Sequence, residues 1–151
     1  MLAIAFLFLS CGDEDGNPLN GSGSDACSLP NGSLKWTTDG GLKCASASLF
    51  ADQAMVMTVN GISQTGLSMT LELDSMQPGT YEMKAGVNSL LFTDQLGMAW
   101  QSTDDNPGTL VVSSNNASTN LFEASFNCTA RNPLGMSKSI SGGTLRVFYT
   151  E

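Results

Sequence analysis

The chain has 151 residues and a formal net charge of −8, with fourteen Asp and Glu residues against six Lys and Arg. This charge repels phosphate backbones and anionic membrane surfaces, so no nucleic-acid partner is expected. The sequence has no histidine, which argues against Ser-His and Cys-His nucleophiles and most zinc sites; we therefore expect no cofactor and no metal.

The chain opens on an apolar run, Met1–Leu9, which is followed by Ser10 and Cys11. The run is shorter than the roughly 20 apolar residues that span a bilayer, so it indicates a cleaved signal peptide over residues 1–10. Leu7–Cys11 resembles the lipobox of bacterial lipoproteins, in which the cysteine is lipidated and becomes the first mature residue. The resemblance implies that Cys11 carries the acyl chains, such as palmitate, that hold the protein on a membrane.

Three acidic residues, Asp13, Glu14 and Asp15, follow the predicted lipidation site. They resemble the export signal that sends lipoproteins of the Bacteroidota to the outer face of the outer membrane. The alternative is an acidic, solvated linker that no receptor reads, which would leave the domain on the periplasmic face. Residues 11–32 are rich in Gly, Ser and Asn and are predicted to form a flexible tether.

Three cysteines remain once Cys11 is lipidated, so at most one disulfide can form in an oxidising compartment. We expect it to join Cys44 to Cys128, because Cys128 lies on the apolar face of its predicted strand and Cys44 lies in another core strand. A bridge from Cys27 to Cys128 is the second choice. A bridge from Cys27 to Cys44 is disfavoured, because a hairpin turning at Asp39-Gly40 would carry the two apart.

Residues 33–151 show short runs of alternating polarity that are broken by Gly, Asn, Asp and Pro about every ten residues. This pattern predicts a single all-β domain, an antiparallel β-sandwich or flattened barrel of about ten short strands. The alternation is clearest in Gly66–Asp74, Asn120–Ala130 and Gly143–Thr150.

The first predicted hairpin leaves its inward face undecided. Its return strand is predicted over Leu42–Phe50 after a turn at Asp39-Gly40-Gly41, and the loop length sets which side chains face Trp36. A two-residue loop places Ala45, Ala47 and Leu49 beside Trp36. A three-residue loop places Cys44, Ser46 and Phe50 there instead.

Several short segments resemble those of small outer-membrane lipoproteins of the Bacteroidota that contain an uncharacterised all-β domain. They are Gly79-Thr80-Tyr81, Gly108–Val112, Phe122–Phe126 and Ile140–Tyr149. The resemblance implies an all-β fold and a location in the outer membrane. It implies no activity.

Carboxylates are the only groups suited to acid and base catalysis that the sequence has in quantity. A hydrolase that uses a pair of carboxylates is therefore the enzymatic hypothesis that the sequence allows. Asp104 and Asp105 are adjacent but lie in a predicted turn. Glu72, Asp74 and Glu82 lie on outward faces of predicted strands among polar neighbours. We therefore interpret all five as turn or surface residues and predict no catalytic residue.

Two further residues are candidates for contacts outside the core. Trp100 lies between two predicted connectors, Asp94–Gly97 and Asp104–Gly108, and could contact a ligand through its ring. The segment Asp74-Ser75-Met76 resembles the short acceptor pattern for O-glycosylation in the Bacteroidota, which would place a glycan on Ser75.

Together these features predict a non-enzymatic, lipid-anchored module of the cell envelope that binds a glycan or an envelope protein. One alternative is a lipocalin-like barrel that carries a small apolar ligand in its interior. A less favoured one is a hydrolase that uses two carboxylates.

Overall fold

The computed structural model describes residues 27–151, which fold into eleven β-strands with no helix. The strands are β1 (Gly32–Thr38), β2 (Gly41–Cys44), β3 (Ser48–Gln53), β4 (Met57–Ile62), β5 (Ser68–Leu73), β6 (Gly79–Met83), β7 (Ser89–Thr93), β8 (Ala99–Ser102), β9 (Gly108–Asn116), β10 (Leu121–Arg131) and β11 (Ser137–Phe148).

The strands form one curled sheet in a half-barrel, which confirms the predicted all-β class. Its path runs β2-β1-β11-β10-β8-β7-β5-β4-β3, and β9 pairs with β10 on one side and with β6 on the other. Every pairing between these strands is antiparallel. The curl brings β3 back to the C-terminal end of the chain, where Gln53 N donates to Thr150 O at 2.8 Å.

Alternating side chains build the core, as predicted from the strand patterns. In β5 and the residue before it, Leu67, Met69, Leu71 and Leu73 are buried. In β10 the buried set is Phe122, Ala124, Phe126 and Cys128. Trp36 and Phe92 meet at the centre in an edge-to-face contact with 5.9 Å between ring centroids. Both are essentially inaccessible to solvent, so large side chains fill the middle of the half-barrel.

The predicted strand Leu42–Phe50 is in fact two strands, β2 and β3. Between them the chain changes partners. Ala45 N still donates to Leu34 O of β1 at 3.0 Å, but Ser46 N and Ala47 N both donate to Ile62 O of β4. The prediction was wrong because a strand that changes partners must break. The crossing lies between the two edges of the curled sheet.

The hairpin between β1 and β2 has the two-residue loop. Thr38 pairs with Gly41, and both loop residues, Asp39 and Gly40, have positive φ angles, as a tight hairpin turn requires. Ala45 and Leu49 are therefore buried, but Ala47 is exposed because it lies at the crossing.

The last strand begins six residues earlier than predicted, at Ser137 rather than Gly143. Its pairing with β10 shifts register between Phe126 and Cys128, and Gly142 has a φ of 56°. A bulge of this kind interrupts the alternation on which the prediction relied.

The disulfide joins Cys27 to Cys44, with 5.5 Å between their Cα atoms. The predicted Cys44–Cys128 bridge is wrong, and Cys128 is a free, buried thiol. Cys27 and Cys44 come together because the chain reverses once more before β1. Leu29 and Gly32 exchange two backbone hydrogen bonds across a tight turn, which returns Cys27 alongside the hairpin.

Candidate binding surface

Three hairpin loops share one sequence pattern: a capping polar residue, two variable residues, a glycine and an apolar residue. They are Ser63-Gln-Thr-Gly-Leu67 between β4 and β5, Asp94-Gln-Leu-Gly-Met98 between β7 and β8, and Asn132-Pro-Leu-Gly-Met136 between β10 and β11. The glycines have φ angles of 84°, 78° and 80° in that order. A turn followed by a left-handed glycine is a common way to close a three-residue hairpin loop.

The same four hydrogen bonds close each loop. In the middle one, Asp94 N donates to Met98 O at 3.0 Å and Gly97 N donates to Asp94 O at 2.9 Å. Asp94 Oδ1 then accepts from Leu96 N and Met98 N, both at 3.0 Å. Ser63 Oγ and Asn132 Oδ1 accept the corresponding pairs of backbone bonds. The loops are therefore held by their own side chains.

All three loops lie at one end of the half-barrel, together with the β1–β2 turn. Ser68 pairs with Thr93, which places the first two loops side by side. Gln101 pairs with Arg131, which places the second beside the third. Lys138 Nζ lies 2.7 Å from Asp39 Oδ2 in the β1–β2 turn. We call residues 39–43, 63–67, 94–98 and 132–138 the loop end.

Large apolar side chains project from the loop end into solvent. Leu96 is 93% exposed and Leu134 is 72% exposed, each at the corresponding position of its loop, and Leu42 is 60% exposed. Met136 is about half exposed. Exposed apolar side chains that are gathered in one region often mark an interaction site.

The largely buried side chain of Lys138 contacts several parts of the loop end. Its ammonium group lies 4.5 Å from the ring centroid of Trp100, 2.7 Å from Asp39 Oδ2 and 3.9 Å from Asp94 Oδ2. Lys138 lies near both carboxylates of the loop end, and Lys43 has no ion-pair partner among the described residues. The two lysines balance the two carboxylates, so the loop end carries no net formal charge.

Asp94 has a lowered pKa. Desolvation raises the pKa of this carboxyl, but hydrogen bonds from Trp100 and from the backbone of Met98 and Leu96 oppose it, together with the charge of Lys138. The balance lies below the ordinary value of 3.8, so Asp94 is a carboxylate at neutral pH.

Trp100, the predicted ligand contact, is only 6% exposed. Its Nε1 donates to Asp94 Oδ2 at 3.0 Å, and Lys138 lies over its ring. Its indole N–H and one ring face are thus engaged within the protein, and Trp100 supports the loop end from inside.

Ser75, the predicted O-glycosylation site, belongs to a hydrogen-bonded cluster around the buried Asn88. Ser75 N donates to Asn88 Oδ1 at 2.9 Å, and Asn88 Nδ2 donates to Ser75 Oγ at 3.2 Å and to Glu82 O at 3.0 Å. Asn88 N also donates to Asp74 Oδ2 at 3.1 Å. A glycan on Ser75 would have to fit beside this cluster, and the modification stays a prediction.

Two of the surface carboxylates considered for catalysis form ion pairs on the described surface. Asp105 pairs with Arg131 at 3.1 Å, and Glu82 pairs with Lys84 at 3.1 Å. Asp104 and Asp105 line an open cleft of about 410 Å³ with Arg131 and Leu91. No group of three or more His, Cys, Asp or Glu side chains within residues 27–151 is arranged to hold a metal ion.

The predicted lipidation residue Cys11 and the predicted export signal Asp13, Glu14 and Asp15 lie outside the described residues. Within residues 27–151 there is no helix of the length and apolarity needed to cross a membrane.

Comparison of the chain with protein-family models, with curated proteins and with solved structures finds no match.

Proposed function

We propose that this chain is a non-enzymatic, lipid-anchored binding module of the cell envelope, and that the loop end is its binding surface. One observation carries the proposal: apolar side chains stand in solvent on loops that hydrogen bonds already hold in shape. Leu96, at 93% exposed, contributes almost nothing to the core. A fixed loop loses little conformational entropy when it binds, so such a surface suits recognition.

The filled interior supports surface binding over the lipocalin-like alternative. A carrier needs an internal cavity of several hundred Å³. Trp36, Phe92 and Phe122 instead occupy the middle of the half-barrel and are shielded from solvent. The described clefts lined by loop-end residues have volumes of about 250 and 200 Å³ and are open to solvent.

Site-specific photo-crosslinking in intact cells tests the binding surface. A benzophenone amino acid replaces Leu96 in one variant and Met55 in the other. Met55 is the matched control because it is 94% exposed and lies at the opposite end of the half-barrel, between β3 and β4. We expect adducts with an envelope component from position 96 and few from position 55. Equal labelling at both positions, or none at position 96, would reject the loop end as the binding surface.

Protease shaving of intact cells tests the envelope location. Release of peptides from the domain without opening the outer membrane is expected for display on the cell surface. Protection until the outer membrane is opened would indicate the periplasmic face. Recovery of the domain in the soluble cytoplasmic fraction would contradict lipid anchoring altogether.

A further inference from the structure

We infer that the loop end docks onto a phospholipid surface, with Leu96 and Leu134 inserted at the level of the lipid headgroups. The inference rests on the proposed function, since it names what the proposed binding surface contacts. It adds that the anchored domain is oriented with its loop end facing the membrane.

The arrangement of the apolar side chains fits a fluid surface better than a protein partner. Leu96 and Leu134 stand on separate loops, and their exposures of 93% and 72% mean that each contacts few neighbours. A stable protein interface buries about 800 Å² on each partner as one closely packed patch. A lipid surface instead moulds itself around single protruding side chains, which bury their apolar area at the boundary between headgroups and acyl chains.

Hydrogen bonds within the loops already satisfy backbone N–H groups at the loop tips, as a region poor in water requires. Backbone groups that leave water need hydrogen-bond partners within the protein. Leu96 N and Met98 N already donate to Asp94 Oδ1, and Gly97 N donates to Asp94 O. Leu134 N and Met136 N are satisfied by Asn132 in the same way. The tips can thus enter the interface without losing these bonds.

The distribution of charge favours approach by this end. The chain as a whole carries −8, which repels an anionic surface. The loop end carries no net formal charge, because Lys43 and Lys138 balance Asp39 and Asp94. Asp52, Asp74 and Glu151 lie toward the opposite end of the strands. An anionic surface therefore repels the loop end less than it repels the opposite end of the strands.

Quenching of tryptophan fluorescence by brominated lipid tests this contact in the full, anchored chain. The protein is reconstituted in vesicles of phosphatidylethanolamine and phosphatidylglycerol, with bromine on part of the acyl chains. Leu96→Trp and Leu134→Trp are compared with Met55→Trp, and the emission of Trp36 and Trp100 in the unsubstituted chain is subtracted. Because all variants share the anchor, only the position of the added tryptophan differs.

We expect brominated vesicles to reduce the added emission about twofold or more at positions 96 and 134, as insertion to the headgroup and acyl boundary requires, and to leave position 55 unchanged. Adding Lys43→Glu to Leu96→Trp should reduce this quenching. Equal quenching at positions 96 and 55, or none at 96, would overturn the inference. So would vesicle-independent burial of Leu96→Trp in a dimer. If quenching fails while photo-crosslinks from position 96 still identify an envelope protein, the lipid contact is rejected and the proposed function stands.

Discussion

Asp94 and Asn132 hold the same position in two loops of the same geometry, and each accepts two backbone hydrogen bonds through Oδ1. Their remaining polar atoms differ. Asp94 Oδ2 accepts a bond of 3.0 Å from Trp100 Nε1, whereas Asn132 Nδ2 is buried without a hydrogen-bond partner in the described structure. The backbone cap is therefore common to both loops, and Trp100 adds a requirement for an acceptor at position 94.

Asp94→Asn should destabilise the domain although it preserves the shape of the side chain. The new Nδ2 would face Trp100 Nε1, so two donors would meet in a largely buried place. Leaving such a group unpaired costs about 1–3 kcal/mol. Urea unfolding measures the change, and Asp104→Asn in an exposed turn is the control, expected within about 0.5 kcal/mol of the parent protein. An equal effect in both variants would contradict the role of the Asp94–Trp100 bond.

The contribution of Asp94 to the free energy of unfolding should depend on pH in the acid range. Because its pKa in the folded state lies below the ordinary value of 3.8, folding favours the ionised form. The stabilisation is complete above the unfolded-state pKa and is lost as the pH falls through the folded-state pKa. The difference in unfolding free energy between the parent and Asp94→Asn should be constant at neutral pH and shrink below about pH 4. A difference that stays constant down to pH 2 would show that the charge contributes nothing.

The fold class followed from sequence because alternation of polarity is local and strong. The sets Leu67–Leu73 and Phe122–Cys128 pack as predicted, since a strand with one buried face leaves little choice of register. The errors arose where the pattern depends on distant partners. The break at Ala45–Ala47 needs β4 to be in place, and the disulfide depends on the turn at Leu29–Gly32.

The loop end was only partly visible in the sequence. Asp94–Gly97 was predicted as a connector, but its repetition in Ser63–Leu67 and Asn132–Met136 was missed. Comparing the connectors with each other would have found the signal, because each has a capping residue three positions before a glycine. Their meeting at one end follows from strand order, which the alternation of single strands does not encode.

Peptide mapping under non-reducing conditions should recover Cys27 bonded to Cys44, and Cys128 should resist alkylation in the native protein. Cys128 is buried, and burial raises the pKa of its thiol to about 12, so almost no thiolate forms at pH 8. Denaturant should make it reactive.

Loss of the disulfide should lower the free energy of unfolding. The cysteines are 17 residues apart, and cross-linking a loop of about this size contributes about 3 kcal/mol. The double variant Cys27→Ser with Cys44→Ser should therefore unfold at lower urea concentration, and reductant should lower the parent to a similar midpoint without affecting the variant. Recovery of a Cys44–Cys128 peptide would contradict both expectations.

Gly61 in β4 should not tolerate a side chain. A Cβ at this position would lie 2.7 Å from Leu34 Cδ2 and 2.9 Å from the Cβ of Ala45. Both neighbours are fully buried, where the strand crossing brings β1 against β4, so neither can move into solvent. Overpacking of this kind costs about 1–3 kcal/mol, and Gly61→Ala should lower the unfolding free energy by that amount.

Gly41→Ala is the matched control, because its nearest contact would be the flexible Lys43 Nζ at 3.5 Å. We expect it to lie within about 0.5 kcal/mol of the parent, as surface substitutions usually do. Adding Ala45→Gly to Gly61→Ala removes one of the two close contacts, so it should recover part of the loss, less the cost of the added glycine. Unchanged stability in Gly61→Ala would mean that β1 and β4 do not approach this closely at the crossing, and the closure of the half-barrel there would have to be wider.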